Sequence, residues 1–221
     1  KNGKFKIMQI TDIQEIPSVS PDTIKLLNSA ILEEKPDLVV LTGDQIKGYG
    51  ASYKIKDKNL FDVVKDTLEI LLKPIVDAKI PYAVTFGNHD RQVGISNAEQ
   101  FEKIYKNIGN CIGEQAVGID GGGTCNIPIY SSDGEKIVNN IYLFDSGTDA
   151  KGGGYEPFDK KIIKWYRATR DDLKKQSGAY VPSLVFQHIP MCEFYNVLKR
   201  VNSTTKGAIR AYRTHKNEYY V

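Results

Sequence analysis

The chain has 221 residues, with 30 Lys and Arg against 27 Asp and Glu and a formal net charge of +3. This length and ordinary globular composition predict a single domain over residues 1–221 with a sizeable core. The charge is too small and too dispersed to indicate a nucleic-acid-binding patch, and no apolar run reaches the length of a membrane helix.

The three cysteines, Cys111, Cys125 and Cys192, are widely spaced. Structural zinc needs close cysteine pairs, so reduced structural thiols are the better interpretation. No signal-like apolar segment follows Lys1-Asn2-Gly3-Lys4, although the first residue is not methionine. We therefore expect a cytoplasmic protein and leave its oligomeric state open.

The first half of the chain alternates predicted strands with predicted helices. Strands are predicted at residues 4–11, 37–42 and 82–86, and helices at residues 20–36, 60–78 and 97–108. Ser20-Pro21-Asp22 opens the first helix, because serine caps and proline is tolerated at the first helical position. Its apolar stripe is Ile24, Leu27, Ile31 and Leu32. The alternation predicts right-handed crossovers onto a largely parallel sheet, with residues 45–58 forming a surface loop.

The second half begins with a hairpin signal after Gly121-Gly122-Gly123. Two apolar runs, residues 124–130 and 136–144, are separated by Ser131-Ser132-Asp133-Gly134, which predicts a second sheet of mixed character. A helix at 159–176, a strand at 182–187 and a short helix at 193–201 follow. The pattern then fades, so we expect a well-defined core over residues 1–201 and a poorly packed or truncated tail over residues 202–221. The fold class is α/β.

Five short polar motifs each follow an apolar run. They are Asp12-Ile13-Gln14, Gly43-Asp44, Gly87-Asn88-His89-Asp90, Asp145-Ser146-Gly147 and Gln187-His188-Ile189-Pro190. Side chains at the carboxyl ends of strands are where an α/β sheet presents its chemistry. Carboxylate, imidazole and amide oxygen are groups that metal ions accept as ligands, and two ions about 3.5–4 Å apart suit phosphate-ester hydrolysis. Asp44 is the natural bridging ligand, and Gly43 lets the backbone approach closely.

The order and strand context of these motifs resemble the calcineurin-like metallophosphoesterase superfamily. The run Tyr142-Leu143-Phe144-Asp145-Ser146-Gly147 is similar to its purple acid phosphatase-like branch, and the likeness extends from about Phe5 to Met191. The resemblance implies an α/β/β/α sandwich and two metal ions, manganese, iron or zinc. It further implies hydrolysis of a phosphomonoester or phosphodiester by in-line attack of a metal-bridging hydroxide.

Carried over by position, the resemblance implies that Asp12 and Gln14 bind the first metal, that Asp44 bridges, and that Asn88 and His188 bind the second. His89 would stabilise the developing charge or protonate the leaving oxygen, with Asp90 fixing its tautomer and raising its pKa. The substrate-binding set would be Asn88, His89 and Arg91.

Two departures stand out. Gln14 occupies a position where the family usually has histidine, and a neutral amide oxygen is a poorer ligand for borderline metals, so a harder ion such as manganese is favoured there. The family's Gly-His-x-His motif does not occur, and the chain has three histidines, His89, His188 and His215. We expect that motif beyond Val221 in a longer protein; the alternative is that it has been lost. His215 lies in a basic, polar stretch and is not the favoured replacement for the missing ligands.

Each signal also has a plainer interpretation. Asp12 could only cap a turn, Gln14 could be a surface amide, and His188 could be a core histidine, whereas Asp145 is expected to serve structure. Arg91 could hold a phosphate oxygen or lie exposed, and Tyr49 and Tyr53 could stack on a base or cover the sheet edge.

Two functions therefore remain in view, a metal-dependent phosphoesterase and a non-catalytic descendant that binds a phosphorylated ligand. The branch's tyrosine position is occupied by Lys47, so no purple charge-transfer band is expected. The sequence does not identify the phosphorylated substrate.

Overall fold

The first sheet is built from three parallel strands. The computed structural model describes residues 3–211 and 217–221, without the side chains of residues 192 and 195. Strands β1 (Ile7–Ile10), β2 (Leu38–Thr42) and β3 (Tyr82–Thr85) lie in the order β1-β2-β3, and both pairings are parallel. Helix α1 (Pro21–Glu34) connects β1 to β2, and helix α2 (Leu60–Asp77) connects β2 to β3. The predicted alternation of strands and helices is confirmed.

The two crossover helices begin at side-chain caps. The Ser20 hydroxyl accepts a hydrogen bond from the backbone N–H of Asp22, and Asn59 caps α2 in the same way. Leu27 and Ile31 of α1 are buried as predicted, but Leu32 is 70% exposed. Including Leu32 in the stripe was wrong, because the residue after Ile31 is turned by about 100° around the helix axis toward solvent.

The second sheet is mixed, as predicted. Strands β4 (Cys125–Tyr130) and β5 (Ile137–Phe144) form an antiparallel hairpin. Helix α3 (Asn97–Lys103), shorter than predicted, precedes them, and helix α4 (Lys160–Ser177) leads to β6 (Ser183–Gln187), which pairs parallel with β5. Cys111 and Cys125 are free thiols, in agreement with the predicted reduced state.

Alternate residues of β2 show how the layers stack. Val39 and Leu41 pack with the apolar face of α2, whereas Leu38 and Val40 pack against residues of the second sheet such as Ile141. The other face of the second sheet packs on α4 through an aromatic cluster, Tyr142, Phe144, Phe158, Trp165 and Tyr166. The order helix, sheet, sheet, helix is the predicted α/β/β/α sandwich.

Two regions differ from the sequence prediction. Residues 45–58 do not form a simple surface loop, because Ile46 and Tyr53 are buried. The tail contains a small antiparallel sheet of β7 (Arg200–Val201), β8 (Ile209–Arg210) and β9 (Tyr219–Tyr220), preceded by a 3-10 helix at Cys192–Val197. Two-residue strands are too short to produce a recognisable alternation.

None of the helices within residues 3–211 and 217–221 combines the length and apolar character that crossing a membrane requires.

Candidate metal centre

The predicted site residues follow strands that end at one edge of the two sheets. Asp12 follows β1, Asp44 follows β2, Asn88 and His89 follow β3, and His188 follows β6. The backbone N–H of Asp12 donates to the carbonyl oxygen of Gly43 at 3.0 Å, and that of Gln14 donates to Asp44 at 2.9 Å. The loop that follows β1 is therefore held by backbone hydrogen bonds to the loop that follows β2. His215 lies outside the described residues.

Asp12, Asp44 and His188 form a cluster that could hold a metal ion. Each offers one ligand atom, and these atoms lie within 4.8 Å of one another. The Nδ1 atom of His188 lies 3.1 Å from the carbonyl oxygen of Thr42. A carbonyl only accepts, so Nδ1 carries the proton and Nε2, 3.4 Å from Oδ2 of Asp44, is left as the ligand atom. Two carboxylates and an oriented imidazole fit a divalent cation.

The ionisation of this cluster also suits a cation. Burial by itself would raise the pKa of Asp44, but hydrogen bonds from His188 and from the His89 amide, together with the two imidazole charges, hold it below its ordinary value. Burial likewise opposes charging of His188, yet Asp44 and Asp12 raise the pKa of His188 above its ordinary value. The carboxylates therefore create a negative potential that a metal ion would neutralise.

The backbone at the site adopts a conformation that is uncommon for residues with side chains. Asp12, Gln14 and Asp44 have φ values of 54°, 50° and 55°, all in the left-handed region. Such strain concentrates at functional sites. Gly43 has φ +106°, and a Cβ built on it would lie 2.4 Å from the backbone nitrogen of Gly87. The glycine permits the close approach of two exit loops, as predicted.

Asp90 does not have the position predicted for it. Its carboxylate is fully buried and accepts hydrogen bonds from the backbone N–H groups of Asp44 at 2.7 Å, Gln45 at 2.9 Å and Gly87 at 2.8 Å. The 3-10 turn that begins at Asp90 directs the side chain inward, so it ties the exit loops of β2 and β3 together instead of contacting the His89 ring. Burial and the charge of Asp44 raise the pKa of Asp90 to about 7, although the hydrogen bonds from the backbone N–H groups act to lower it.

His89 lies beside the cluster. Its Nε2 atom is 3.9 Å from Oδ2 of Asp44, and its backbone N–H donates to the other oxygen of Asp44 at 2.9 Å. Its Nδ1 atom lies 2.9 Å from Oε1 of Gln92. The ring of Tyr49 packs against the imidazole with centroids 4.5 Å apart. The side chain is therefore held from three directions at the rim of the metal cluster.

The two amide side chains of the predicted ligand set have defined partners. The Tyr49 hydroxyl donates to Oε1 of Gln14 at 3.0 Å, and Nδ2 of Asn88 donates to Asp149 at 3.1 Å. The metal-binding roles of Gln14 and Asn88 stay predictions. Arg91 is exposed.

Sequence reasoning missed Gln92 and Asp149 and left Tyr49 without a role at the site. Gln92 follows His89 by three residues in a helical turn, a spacing that brings side chains together and could have been noticed. Asp149 is 57 residues beyond Gln92, and no local pattern signals their contact. Tyr53 is buried, and its hydroxyl donates to the carbonyl oxygen of Glu15. Its role is therefore structural and not the stacking on a base that the sequence also allowed.

Asp145 has the structural role that was expected. Its carboxylate accepts from the side-chain amide of Asn97 and from the backbone N–H groups of Gly122 and Gly147. Burial raises the pKa of Asp145 above the ordinary value, against those hydrogen bonds. The residue anchors the turn after β5.

A family model described as calcineurin-like phosphoesterase matches residues 5–198. A probable inactive purple acid phosphatase 29 from Arabidopsis thaliana is 28% identical, and the match covers 93% of this chain and 59% of that protein. Phosphatase DCR2 from Saccharomyces cerevisiae is also 28% identical, with 94% of this chain and 38% of that protein covered. The chain thus spans less than two thirds of the length of these curated relatives.

A solved structure of a dimetal phosphatase from Danio rerio superposes with a TM-score of 0.56 at 13% sequence identity. The match covers 84% of this chain and 70% of that one. Likeness at this level of identity concerns the fold alone.

Proposed function

The chain belongs to the calcineurin-like phosphoesterase family, and we propose that it acts as a metal-dependent hydrolase of a phosphomonoester or phosphodiester. The observation that carries the proposal is the convergence of Asp12, Asp44 and His188 within 4.8 Å at the strand ends. These residues come from three separate strand exits, and a shared metal ion is the simplest reason for bringing two carboxylates and an imidazole together.

The proposed ligands follow from the chemistry of the side chains at the strand ends. When bound, two metal ions at such a centre polarise phosphoryl oxygens and lower the pKa of coordinated water. Asp12, Asp44 and His188 would hold the ions, with the amide oxygens of Gln14 and Asn88 completing the set. Manganese, iron and zinc are all compatible with these ligands.

His89 is the proposed catalytic residue that is not a metal ligand. Its Nε2 atom lies 3.9 Å from Asp44 and faces the cluster, whereas its Nδ1 atom is occupied by Gln92. The imidazolium form carries a proton on each nitrogen, and the proton at Nε2 is then positioned to stabilise charge on a phosphoryl oxygen or to move to the leaving oxygen. Asn88 and Arg91 would help to bind the phosphorylated substrate.

The test is hydrolysis of p-nitrophenyl phosphate and bis-p-nitrophenyl phosphate by metal-stripped protein to which manganese is returned. We expect metal-dependent release of nitrophenol that Asp44→Asn abolishes. Asp172→Asn is the matched control, because this exposed α4 carboxylate pairs only with Lys175 among the ion pairs of the described residues. Release that does not depend on manganese, or that survives in Asp44→Asn, would contradict the proposal.

A non-catalytic role in binding a phosphorylated ligand is the second candidate. It is favoured by Gln14, whose amide oxygen already accepts from Tyr49, and by a relative whose name calls it probably inactive. This candidate predicts that manganese and inorganic phosphate bind while neither nitrophenyl substrate is hydrolysed. Hydrolysis of either substrate would exclude it.

A further inference from the structure

We propose that Gln92 and Asp149 are positioning residues that together fix His89 in the tautomer with the proton on Nδ1. The inference rests on the proposed function, in which His89 acts through Nε2 at the metal cluster. Its structural basis is a chain of hydrogen bonds that runs from the carboxylate of Asp149 through the Gln92 amide to the imidazole.

The orientation of the Gln92 amide follows from chemistry. Its nitrogen lies 3.0 Å from Oδ2 of Asp149, and its oxygen lies 2.9 Å from Nδ1 of His89. A carboxylate only accepts hydrogen bonds, so the NH₂ group of Gln92 must face Asp149. Reversing the amide would set its oxygen against a carboxylate oxygen at the same distance. The side of Gln92 that meets His89 is therefore an acceptor.

An acceptor at Nδ1 determines which imidazole nitrogen carries the proton. Facing Oε1 of Gln92, Nδ1 carries the proton of the neutral ring in the favoured state, which leaves Nε2 as the atom that takes up a second proton and can later release it. Nε2 is also the atom that faces Asp44, at 3.9 Å. This chain of hydrogen bonds from Asp149 through Gln92 to His89, here called the relay, thus leaves Nε2 facing the site of the proposed reaction.

Asn88 does not compete for Nδ1. Its amide nitrogen is 3.4 Å from Nδ1 and 3.3 Å from Nε2 of His89, and nearly equal distances place it over the ring face rather than along either lone pair. The contact of Gln92 is shorter by half an ångström. Asn88 donates instead to Asp149, at 3.1 Å.

One carboxylate oxygen of Asp149 consequently accepts hydrogen bonds from two side-chain amides. Its Oδ2 atom accepts from both Asn88 and Gln92. The amide nitrogen of Asn88 is thereby held on the Asp149 side, so its oxygen faces away from that carboxylate oxygen. The loop that carries Asp149 is itself closed, because Glu156 donates to the carbonyl of Thr148 and Ala150 to that of Gly154.

The tautomer can be observed directly in the metal-free chain by imidazole ¹⁵N nuclear magnetic resonance. The spectrum should be recorded about two units above the ordinary histidine pKa of about 6.5, where neutral rings dominate. The chain has 3 histidines, and the signals that vanish in His89→Asn identify residue 89. We expect the Nδ1–H form of His89 to exceed the Nε2–H form by about tenfold, which is what one good hydrogen bond provides.

Substitutions separate the relay from a general structural effect. Gln92→Leu should abolish the tautomer preference, and Asp149→Ala should weaken it several-fold, because the amide is then free to rotate. Gln92→Glu combined with Asp149→Ala retains an acceptor at Nδ1 without setting two carboxylates against each other, and this double variant should keep the Nδ1–H form. Asp172→Ala, an exposed carboxylate of α4, is the control and should change nothing.

Two results would overturn the inference. One is a wild-type His89 that is mainly protonated on Nε2, and the other is a tautomer ratio unchanged by Gln92→Leu. Because the spectrum needs neither metal nor turnover, a protein that shows the expected tautomer but hydrolyses no phosphate ester would contradict the proposed function while leaving the relay intact.

Discussion

His89 illustrates how neighbours give one side chain a defined chemistry. Tyr49 packs on its ring, Gln92 meets Nδ1, and Asp44 accepts from its backbone N–H. These contacts come from the exit loops of β2 and β3, and His89 is not part of the Asp12, Asp44 and His188 cluster. In the proposed function, metal binding and proton transfer therefore fall to different side chains.

Replacing His89 by alanine separates those two tasks. We expect His89→Ala to lower the maximal rate of manganese-dependent hydrolysis by about 10²- to 10⁴-fold, because a positioned acid or base contributes on that scale. The metal content, measured on the same sample by elemental analysis, should stay unchanged. His188→Ala is the matched comparison and should lose metal. A full rate in His89→Ala would remove this residue from the mechanism.

Tyr49 offers a second prediction, because its ring and its hydroxyl have separate partners. Tyr49→Phe keeps the ring against His89 but removes the donor to Gln14. The amide of Gln14 then loses its orientation, and manganese affinity should fall by up to about tenfold, the equivalent of one hydrogen bond. Isothermal titration of metal-stripped protein measures this. Tighter binding in Tyr49→Phe would mean that the hydroxyl competes with the metal for Gln14.

Among the elements, the exit loops of β2 and β3 approach each other closely. A Cβ on Gly43 would lie 2.4 Å from the nitrogen of Gly87, and the glycine has φ +106°. Gly43→Ala should therefore lower the free energy of unfolding by about 2–5 kcal/mol, from backbone strain together with overpacking. Urea denaturation gives the value. Gly152→Ala, where a Cβ meets nothing within 4 Å, is the control, and equal losses in the two variants would contradict the packing argument.

The turn after β5 predicts a pH dependence. Both oxygens of Asp145 accept from donors, so Asp145→Asn sets one N–H group against another and should cost about 1–3 kcal/mol. Burial raises the pKa of Asp145 in the folded state. The contribution of Asp145 to the free energy of unfolding is fully present below the unfolded-state pKa of about 3.9 and is lost as pH rises through the higher folded-state pKa.

The stability difference between wild type and Asp145→Asn should consequently be larger near pH 4.5 than near pH 7. Urea unfolding at both pH values measures it. A difference that grows with rising pH would contradict the assigned direction of the shift.

The elements were largely predictable because their signals are local. The β2 apolar run and the Ser20 cap each lie within a few residues, and both matched the structure. The burial of Ile46 was not predictable, since Asp90 of another loop accepts hydrogen bonds from the Gln45 and Ile46 backbone. The burial of Tyr53 likewise involves a residue distant in sequence, Glu15. The contacts of Asp90 also explain why its expected partnership with His89 was wrong.

At the scale of the whole molecule, the two sheets pack face to face and thereby complete the candidate site. Asp12 and Asp44 belong to exit loops of the first sheet, whereas His188 follows β6 of the second. The periodicity of the chain predicted both sheets, and the family resemblance supplied the site, but residue patterns alone do not give the distance between two sheets. That distance decides whether His188 reaches Asp44, and the 3.4 Å contact shows that it does.

The most direct test of the account is the number of manganese ions bound per chain when metal-stripped protein is titrated. We expect two ions for the wild type, and none with comparable affinity for Asp44→Asn, which loses the charged oxygen proposed to bridge the ions. A single ion would support the Asp12, Asp44 and His188 cluster but contradict a two-metal centre. Absence of binding, or equal binding by Asp44→Asn, would contradict the central claim that these strand ends form a metal site.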